Sequence, residues 1–309
     1  MNHPPILLDI GAAGEIHHKW KQIAGYSICI AFDADEREMG YVAKESSGYK
    51  KLYVYNCIVS DKATGTTDFY LTRSPQCSSL LKPKQESLNN WIFADLFDVE
   101  KITTLKTIAL PEALKEVGIQ KIDWFKVDSQ GTDLRLFDSL GGECINKVLI
   151  AEFEPGIIDA YEGEDKLWAL MAYMEKRPFW MADITIRGSQ RISRKILSEK
   201  FNRFWKMFVP KVLKTSPGWA EVTYLNTFKV SNTSLDKRDF LLGWIFATLE
   251  KQYGFALEIA RNGFQIHADP IFIELEGYAQ RSLRRSYSMI FITILKGLAS
   301  KLFALLKNI

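Results

Sequence analysis

The residues of this sequence best suited to chemistry are acids that close short apolar runs. Asp9 sits in Ile6-Leu7-Leu8-Asp9-Ile10-Gly11, and Asp33 follows the run Tyr26 to Phe32, with Asp35 two residues on. Asp128 ends Ile122 to Val127, while Glu152 and Glu154 follow Lys147 to Ala151. A carboxylate at the carboxyl end of a buried strand can accept hydrogen bonds from a ligand's hydroxyls or take a proton. His17 and His18 lie shortly after the first run, and an imidazole is the side chain best matched to base catalysis near neutral pH. The same histidines could equally lie exposed on a first helix.

Such acids act together only if the chain brings their strand ends to one crevice. The stretch Ile6 to Gly14 reads as a buried parallel strand running into a Gly11-x-x-Gly14 turn. Glycine lets the backbone approach a ligand closely, and a helix over Glu15 to Gln22 would point free N–H groups at it. Asp33 stands about 20 residues after that turn, where a carboxylate accepts hydrogen bonds from ribose hydroxyls. Asp35 is its rival, because it would fall on the same strand face. Nicotinamide enzymes and methyltransferases that use S-adenosylmethionine share this arrangement. The dinucleotide fingerprint Gly-x-Gly-x-x-Gly is missing, and the charge of Asp9 suits an ammonium better than a pyrophosphate, so the methyltransferase reading is preferred. An NAD(P)-dependent oxidoreductase is the alternative, and a catalytically inactive cofactor-binding protein is a third.

The elements that would hold these residues alternate along the chain. A helix is expected over Glu36 to Lys44, a third strand over Leu52 to Val59, and a hairpin strand over Thr66 to Leu71. A short strand at Ile102 to Leu105 precedes a helix from Leu110 to Val117, which Gly118 ends. Asp128 then closes a fourth strand beside the first, and a helix follows to Leu140. Lys147 to Ala151 is a fifth strand. A helix over 163–177, a strand near 180–186, a basic helix over 190–213 and a strand over 220–228 complete the series. The alternation predicts an α/β fold with a mainly parallel, doubly wound sheet. Asn56 and Cys57, at the third strand's end, would lie near an adenine, although Asn56 also suits a turn. Lys126 would share a face with Asp128 and could pair with an acid or merely end its strand.

In order along residues 6–228, several pieces resemble the FkbM family of methyltransferases. They are Leu8-Asp9-Ile10-Gly11-Ala12, Phe32-Asp33-Ala34, Val59-Ser60-Asp61 with Gly65, the pair Ser78-Ser79, Lys126-Val127-Asp128-Ser129-Gln130-Gly131 with Asp133, and Glu152-Phe153-Glu154-Pro155. The resemblance implies a seven-stranded Rossmann-like sheet of the class I methyltransferase type, S-adenosyl-L-methionine as cofactor, and O-methylation of a sugar hydroxyl on a glycan or a related metabolite. It places Asp9, Gly11, Ala12, Asp33, Asn56, Cys57 and Asp128 around the cofactor. Asp128, His17, Glu152 and Glu154 are the candidates for catalysis, and the two glutamates could bind a sugar hydroxyl or take its proton. The chain departs from the family at Lys106, where an aspartate is usual, and at Thr132-Asp133 in place of Ala-Glu. These departures, with little chain before the first strand, bear on the acceptor site more than on the cofactor.

Composition sets the outer limits. The net charge of +3 gives no ground for a nucleic-acid partner, and 47% hydrophobic with 25% charged residues is ordinary for a globular protein. Cys29, Cys57, Cys77 and Cys144 show no paired spacing, so neither a disulfide frame nor a metal site is expected. The first strand begins too early to follow a signal peptide, and no long uncharged apolar run exists, which together suggest a cytoplasmic protein. Residues 1–232 would form the methyltransferase domain and 233–309 a C-terminal helical extension. In that extension Asp236 to Phe264 is apolar nearly all round and must be buried against something. Arg281 to Ile309 has six basic residues, no acid, and an apolar stripe from Leu283 to Leu305. Such a helix could lie peripherally at the inner face of a membrane, pack on 236–264, or form a homodimer contact. Arg187 to Lys214 holds nine basic residues against Glu199, which could favour an acidic acceptor or form a solvated face.

Overall fold

The computed structural model describes residues 3–12, 16–37, 48–62, 65–229 and 235–285. The chain divides into two compact units, 1–227 and 228–309.

The first unit is an α/β fold built on a seven-stranded, mostly parallel sheet. Its strands are β1 (Ile6–Ile10), β2 (Ile28–Phe32) and β3 (Lys51–Tyr55), then β7 (Trp124–Val127), β8 (Ile150–Phe153), β9 (Phe179–Gln190) and β10 (Thr215–Asn226). Their spatial order is β3-β2-β1-β7-β8-β10-β9, with β10 antiparallel to both neighbours. The runs are short and apolar because the inner strands are covered on both faces; every residue of β1 is buried. The register pairs Asp9 with Lys126 and Lys126 with Glu152, so these three project from one face. The alternate residues Leu8, Ile10, Phe125, Val127 and Phe153 enter the main core on the other. There they meet the helix Leu110–Glu116, whose Leu110, Ala113 and Leu114 recur at helical spacing, and the helix Asp133–Asp138. Phe125 and Phe137 are fully enclosed, 4.9 Å between ring centres, and burying each ring contributes about 1.5–3 kcal/mol.

Three expectations need correction. The apolar run Leu52 to Val59 is not one strand: it breaks at Asn56-Cys57 into β3 and β4 (Ile58–Ser60), and β4 leaves the main sheet. With β5 (Gly65–Thr72) and β6 (Val99–Ala109) it forms a second, three-stranded sheet of order β4-β6-β5. The basic stretch 190–213 is not one helix either. It folds as three short helices, Arg194–Lys200, Arg203–Lys206 and Val209–Val212, because Asn202 and Pro210 each restart the chain. After β1, residues 13–15 lie outside the described residues, and the chain then makes 3-10 turns at His18–Gln22 and Ala24–Tyr26 instead of an α-helix. The helix expected over 36–44 falls almost wholly outside them.

The second unit starts its first helix, Lys237–Leu249, with a capping box in which Asp236 and Asp239 each accept the other's backbone N–H. The helix Tyr253–His267 ends at Ala268 in the left-handed conformation, and Asp269 then caps a segment helical over 271–285. Among the described residues no helix is long and apolar enough to cross a membrane. The apolar stripe of the tail lies outside them beyond residue 285.

Candidate functional site

The ends of β1, β2 and β7 converge on Gly11. Its φ is +78°, and a Cβ there would lie 2.0 Å from the Asp128 carbonyl oxygen, so only glycine lets the turn cross the end of β7. The Gly11 N–H donates to Phe32 O at 2.9 Å and ties the turn to β2. The chain leaves β1 toward β2 and β3 on one side and returns as β7 and β8 on the other, which makes this point a topological switch where α/β sheets bind ligands. A cavity of about 500 Å³ opens here, within the range of small-molecule sites.

Two acids from the end of β2 reach it in different states. Asp35 is held by Arg37 through a two-pronged pair, Nε to Oδ1 at 2.9 Å and Nη2 to Oδ2 at 2.6 Å. Burial raises its pKa, but the guanidinium and its hydrogen bonds outweigh this and hold the carboxyl below its ordinary value. Asp33 Oδ1 accepts the Asp35 N–H at 2.8 Å, whereas its buried Oδ2 has no partner among the described residues. Burial above all, with the neighbouring Asp35 and Asp9 charges, pushes Asp33 up to about 6. A buried carboxylate oxygen with no partner is costly alone and becomes favourable once a ligand hydroxyl donates to it.

A second acidic pair closes the far side of the switch point. Asp128 and Glu154 follow β7 and β8, and burial, then the Asp128 charge and the hydrogen bond to it, drive Glu154 far above the carboxyl range. The two therefore share a proton near neutral pH. Gln130 holds Asp128 Oδ1 at 2.5 Å from a backbone φ of +56°, unusual for a residue with a side chain. Its carbonyl accepts the Ser79 hydroxyl at 2.8 Å, and the Tyr161 hydroxyl lies 3.0 Å from its Oε1. Asp133 gathers the loop beneath by accepting Ser129 N–H and O–H and the Glu154 N–H.

The cavity continues past Glu154 to an aromatic wall of Phe93, Phe97, Tyr161 and Trp219. Trp219 lies in β10, four strand positions from β2, so the crevice spans roughly 19 Å of sheet edge. The Trp219 Nε1–H is buried with no acceptor among the described residues. Among the described residues five carboxyl groups line the cavity, on Asp33, Asp35, Asp128, Glu154 and Glu164. The one lining cation among the described residues is Lys126, whose Nζ lies 2.9 Å from Asp9 Oδ1.

Of the residues singled out in the sequence, Gly11, Asp33, Cys57, Asp128 and Glu154 line this cavity; Asp9, Ala12, Asn56, His17 and Glu152 do not. Asp9 is completely buried and accepts the His17 N–H at 3.0 Å besides its pair with Lys126. Asn56 donates to the Asp33 carbonyl at 3.1 Å and braces the β2 end from outside. His17 Nε2 is 3.1 Å from Glu152 Oε1, which also accepts the Trp124 indole N–H at 2.8 Å, with Lys19 at 3.3 Å from the other oxygen. These groups overcome the effect of burial and hold Glu152 down at about 2. Sequence reasoning assigned no role to Gln130, Tyr161, Glu164 or Trp219. Only Gln130 carried a local signal, as the residue before Gly131 in a turn at a strand end; the others arrive through loop folding.

No protein family, curated protein or solved structure matches the chain in comparisons with each. Among the described residues no group of three or more potential ligands could hold a metal ion.

Proposed function

We propose that this chain is an S-adenosylmethionine-dependent methyltransferase that O-methylates a sugar hydroxyl of a glycan or related metabolite. The observation that carries the reading is the Asp33 carboxylate oxygen left without a described partner at the end of β2, beside the Gly11 turn in an acid-lined switch-point cavity. A ribose hydroxyl satisfies that oxygen. The acidic lining favours a cofactor that carries a sulfonium and an ammonium. Among the described residues a pyrophosphate would meet five carboxyl groups and one ammonium already paired with Asp9, which weighs against the nicotinamide alternative. The strand order, with one antiparallel strand set into a parallel sheet, is compatible with the class I methyltransferase sheet.

In this reading the Gly11 backbone gives close approach, Asp33 holds the ribose, and Cys57 with Ile58 flanks the adenine. The cofactor supplies an electrophilic methyl group. The chain's own work is to align the acceptor hydroxyl and take its proton. Asp128 and Glu154 are the groups near enough to share that proton, and the aromatic wall at Phe93 and Trp219 gives a sugar ring a face to lie on.

Isothermal titration with S-adenosylhomocysteine tests the cofactor. Binding is expected for the wild type, with an affinity loss of about 10–100-fold in Asp33→Asn, the worth of a charged hydrogen bond. Binding of NADH in place of S-adenosylhomocysteine would move the assignment to an oxidoreductase. Binding without methyl transfer to any component of a glycan extract would leave a cofactor-binding protein.

A further inference from the structure

The three short helices over 194–213 carry a surface that the cavity does not explain. Phe204 is 58% exposed, Trp205 57%, Met207 61% and Val212 79%, with Ile196 beside them at 48%. Large apolar side chains that are more than half exposed and close in sequence mark an interaction surface, not ordinary scatter. Phe204, Trp205 and Phe208 form one aromatic group, with ring centres 5.2 to 6.2 Å apart. Lys195, Lys200, Arg203, Lys206, Lys211 and Lys214 alternate with these residues, and Glu199 is the one acid from 194 to 214.

The segment is anchored, not loose. Arg194 pairs with Asp95 and Asp98, each at 2.7 Å, its N–H donates to Asn89 O, and Gln190 Nε2 donates to Pro210 O at 3.1 Å. Val209 is the buried foot of the last helix. The residues it is fastened to, 89–98, include Phe93, Leu96 and Phe97 of the cavity wall. The exposed apolar side chains therefore sit on a braced element next to the cavity rim.

We propose that residues 194–214 dock the protein on an anionic lipid surface, with Phe204, Trp205, Met207 and Val212 entering the headgroup region and the flanking lysines and arginines facing lipid phosphates. The charge selects the partner. A second copy would set this basic face against itself, and the chain's own tail from Arg281 is basic without an acid. Nucleic acid would use the cations and the aromatic rings, but it gives Met207, Val212 and Ile196 nothing to enter; a bilayer interface takes both kinds of side chain. Docking in this way would bring the cavity rim to the membrane, whatever reaction the cavity performs.

Co-sedimentation of the full-length protein with extruded vesicles, of phosphatidylcholine alone or with a third phosphatidylglycerol, tests this. Binding is expected only to the anionic vesicles and should fall with added salt. Each basic residue near such a surface is worth about a factor of five in affinity. Arg203→Gln with Lys206→Gln and Lys211→Gln should thus lower it by on the order of a hundredfold. Phe204→Ser with Trp205→Ser and Met207→Ser should abolish it; these side chains are exposed, so the melting temperature should hold. Trp205→Phe should keep binding but remove quenching by brominated lipid. Equal binding of wild type and the charge variant overturns the proposal. So does binding that survives both sets but is lost in Leu298→Glu with Leu302→Glu, which would give the role to the tail. Failure to bind vesicles together with variant-sensitive binding of a single-stranded oligonucleotide would make the face a nucleic-acid surface instead.

Discussion

Lys126 Nζ lies 2.9 Å from Asp9 Oδ1 and 3.1 Å from the Gly11 carbonyl oxygen, so one ammonium neutralises the first strand's acid and pins the turn after it. Burial works against the charge on Lys126, but Asp9 and Asp128 more than restore it and hold its pKa above the ordinary value. Lys126→Met leaves Asp9 buried and unbalanced, at an expected cost of about 3–5 kcal/mol in urea denaturation. Adding Asp9→Asn to that variant should recover most of the loss, because the uncompensated charge is then gone. A single variant as stable as the wild type would show that the pair does not hold the turn.

Asp33 ties stability to pH through its raised pKa. It and Asp133 are both pushed up to about 6, first of all by burial. An acid that keeps its proton longer in the folded state makes a contribution to stability that is full below the unfolded value near 4, is lost as pH rises to about 6 and is level above it. Asp33→Asn should flatten part of that fall and raise stability at pH 7.5 by about 1–2 kcal/mol, less than the full shift because the new amide donors also need partners. The same change should weaken S-adenosylhomocysteine. A variant that gained stability and kept its affinity would separate Asp33 from the cofactor.

The acids that close strands were legible in the sequence because an apolar run ending in a carboxylate is a local pattern. That is why Asp33, Asp128 and Glu154 could be expected at strand ends and do line one cavity. The state of each acid was not legible, since it depends on partners distant in sequence. Asp9 finds its cation 117 residues later at Lys126, and the Arg37 that occupies Asp35 is fixed there by the distant Thr72 and Ser78, which its Nη1 and Nη2 also reach. Periodicity also could not see that Asn56-Cys57 splits one apolar run between two sheets, because both halves are equally apolar and only strand pairing separates them.

Gly11→Ala is the sharpest test of the turn. The left-handed backbone costs a residue with a side chain roughly 1–2 kcal/mol. The new methyl group would also stand 2.0 Å from a backbone oxygen of Asp128 that cannot rotate away. β1 and β7 would have to part at the crevice. Loss of more than about 3 kcal/mol in denaturation, together with loss of cofactor binding, is expected. A stable Gly11→Ala that binds S-adenosylhomocysteine normally would mean that the two strand ends need not approach so closely.

Glu152 separates stability from ligand binding. Its carboxylate does not line the cavity; it takes hydrogen bonds from His17 and Trp124 and an ion pair from Lys19. An acid held down at about 2 stabilises the fold fully above the unfolded value near 4.5, and that contribution is lost as pH falls toward 2. Glu152→Gln keeps an oxygen for the Trp124 N–H but gives up the charge. It should therefore lose about 2–3 kcal/mol at pH 7, and its gap from the wild type should narrow below about pH 4.5. S-adenosylhomocysteine affinity should stay within about twofold, since a buried pair outside the cavity touches no ligand. Affinity that fell while stability held would instead place Glu152, and His17 with it, in contact with the bound cofactor or acceptor.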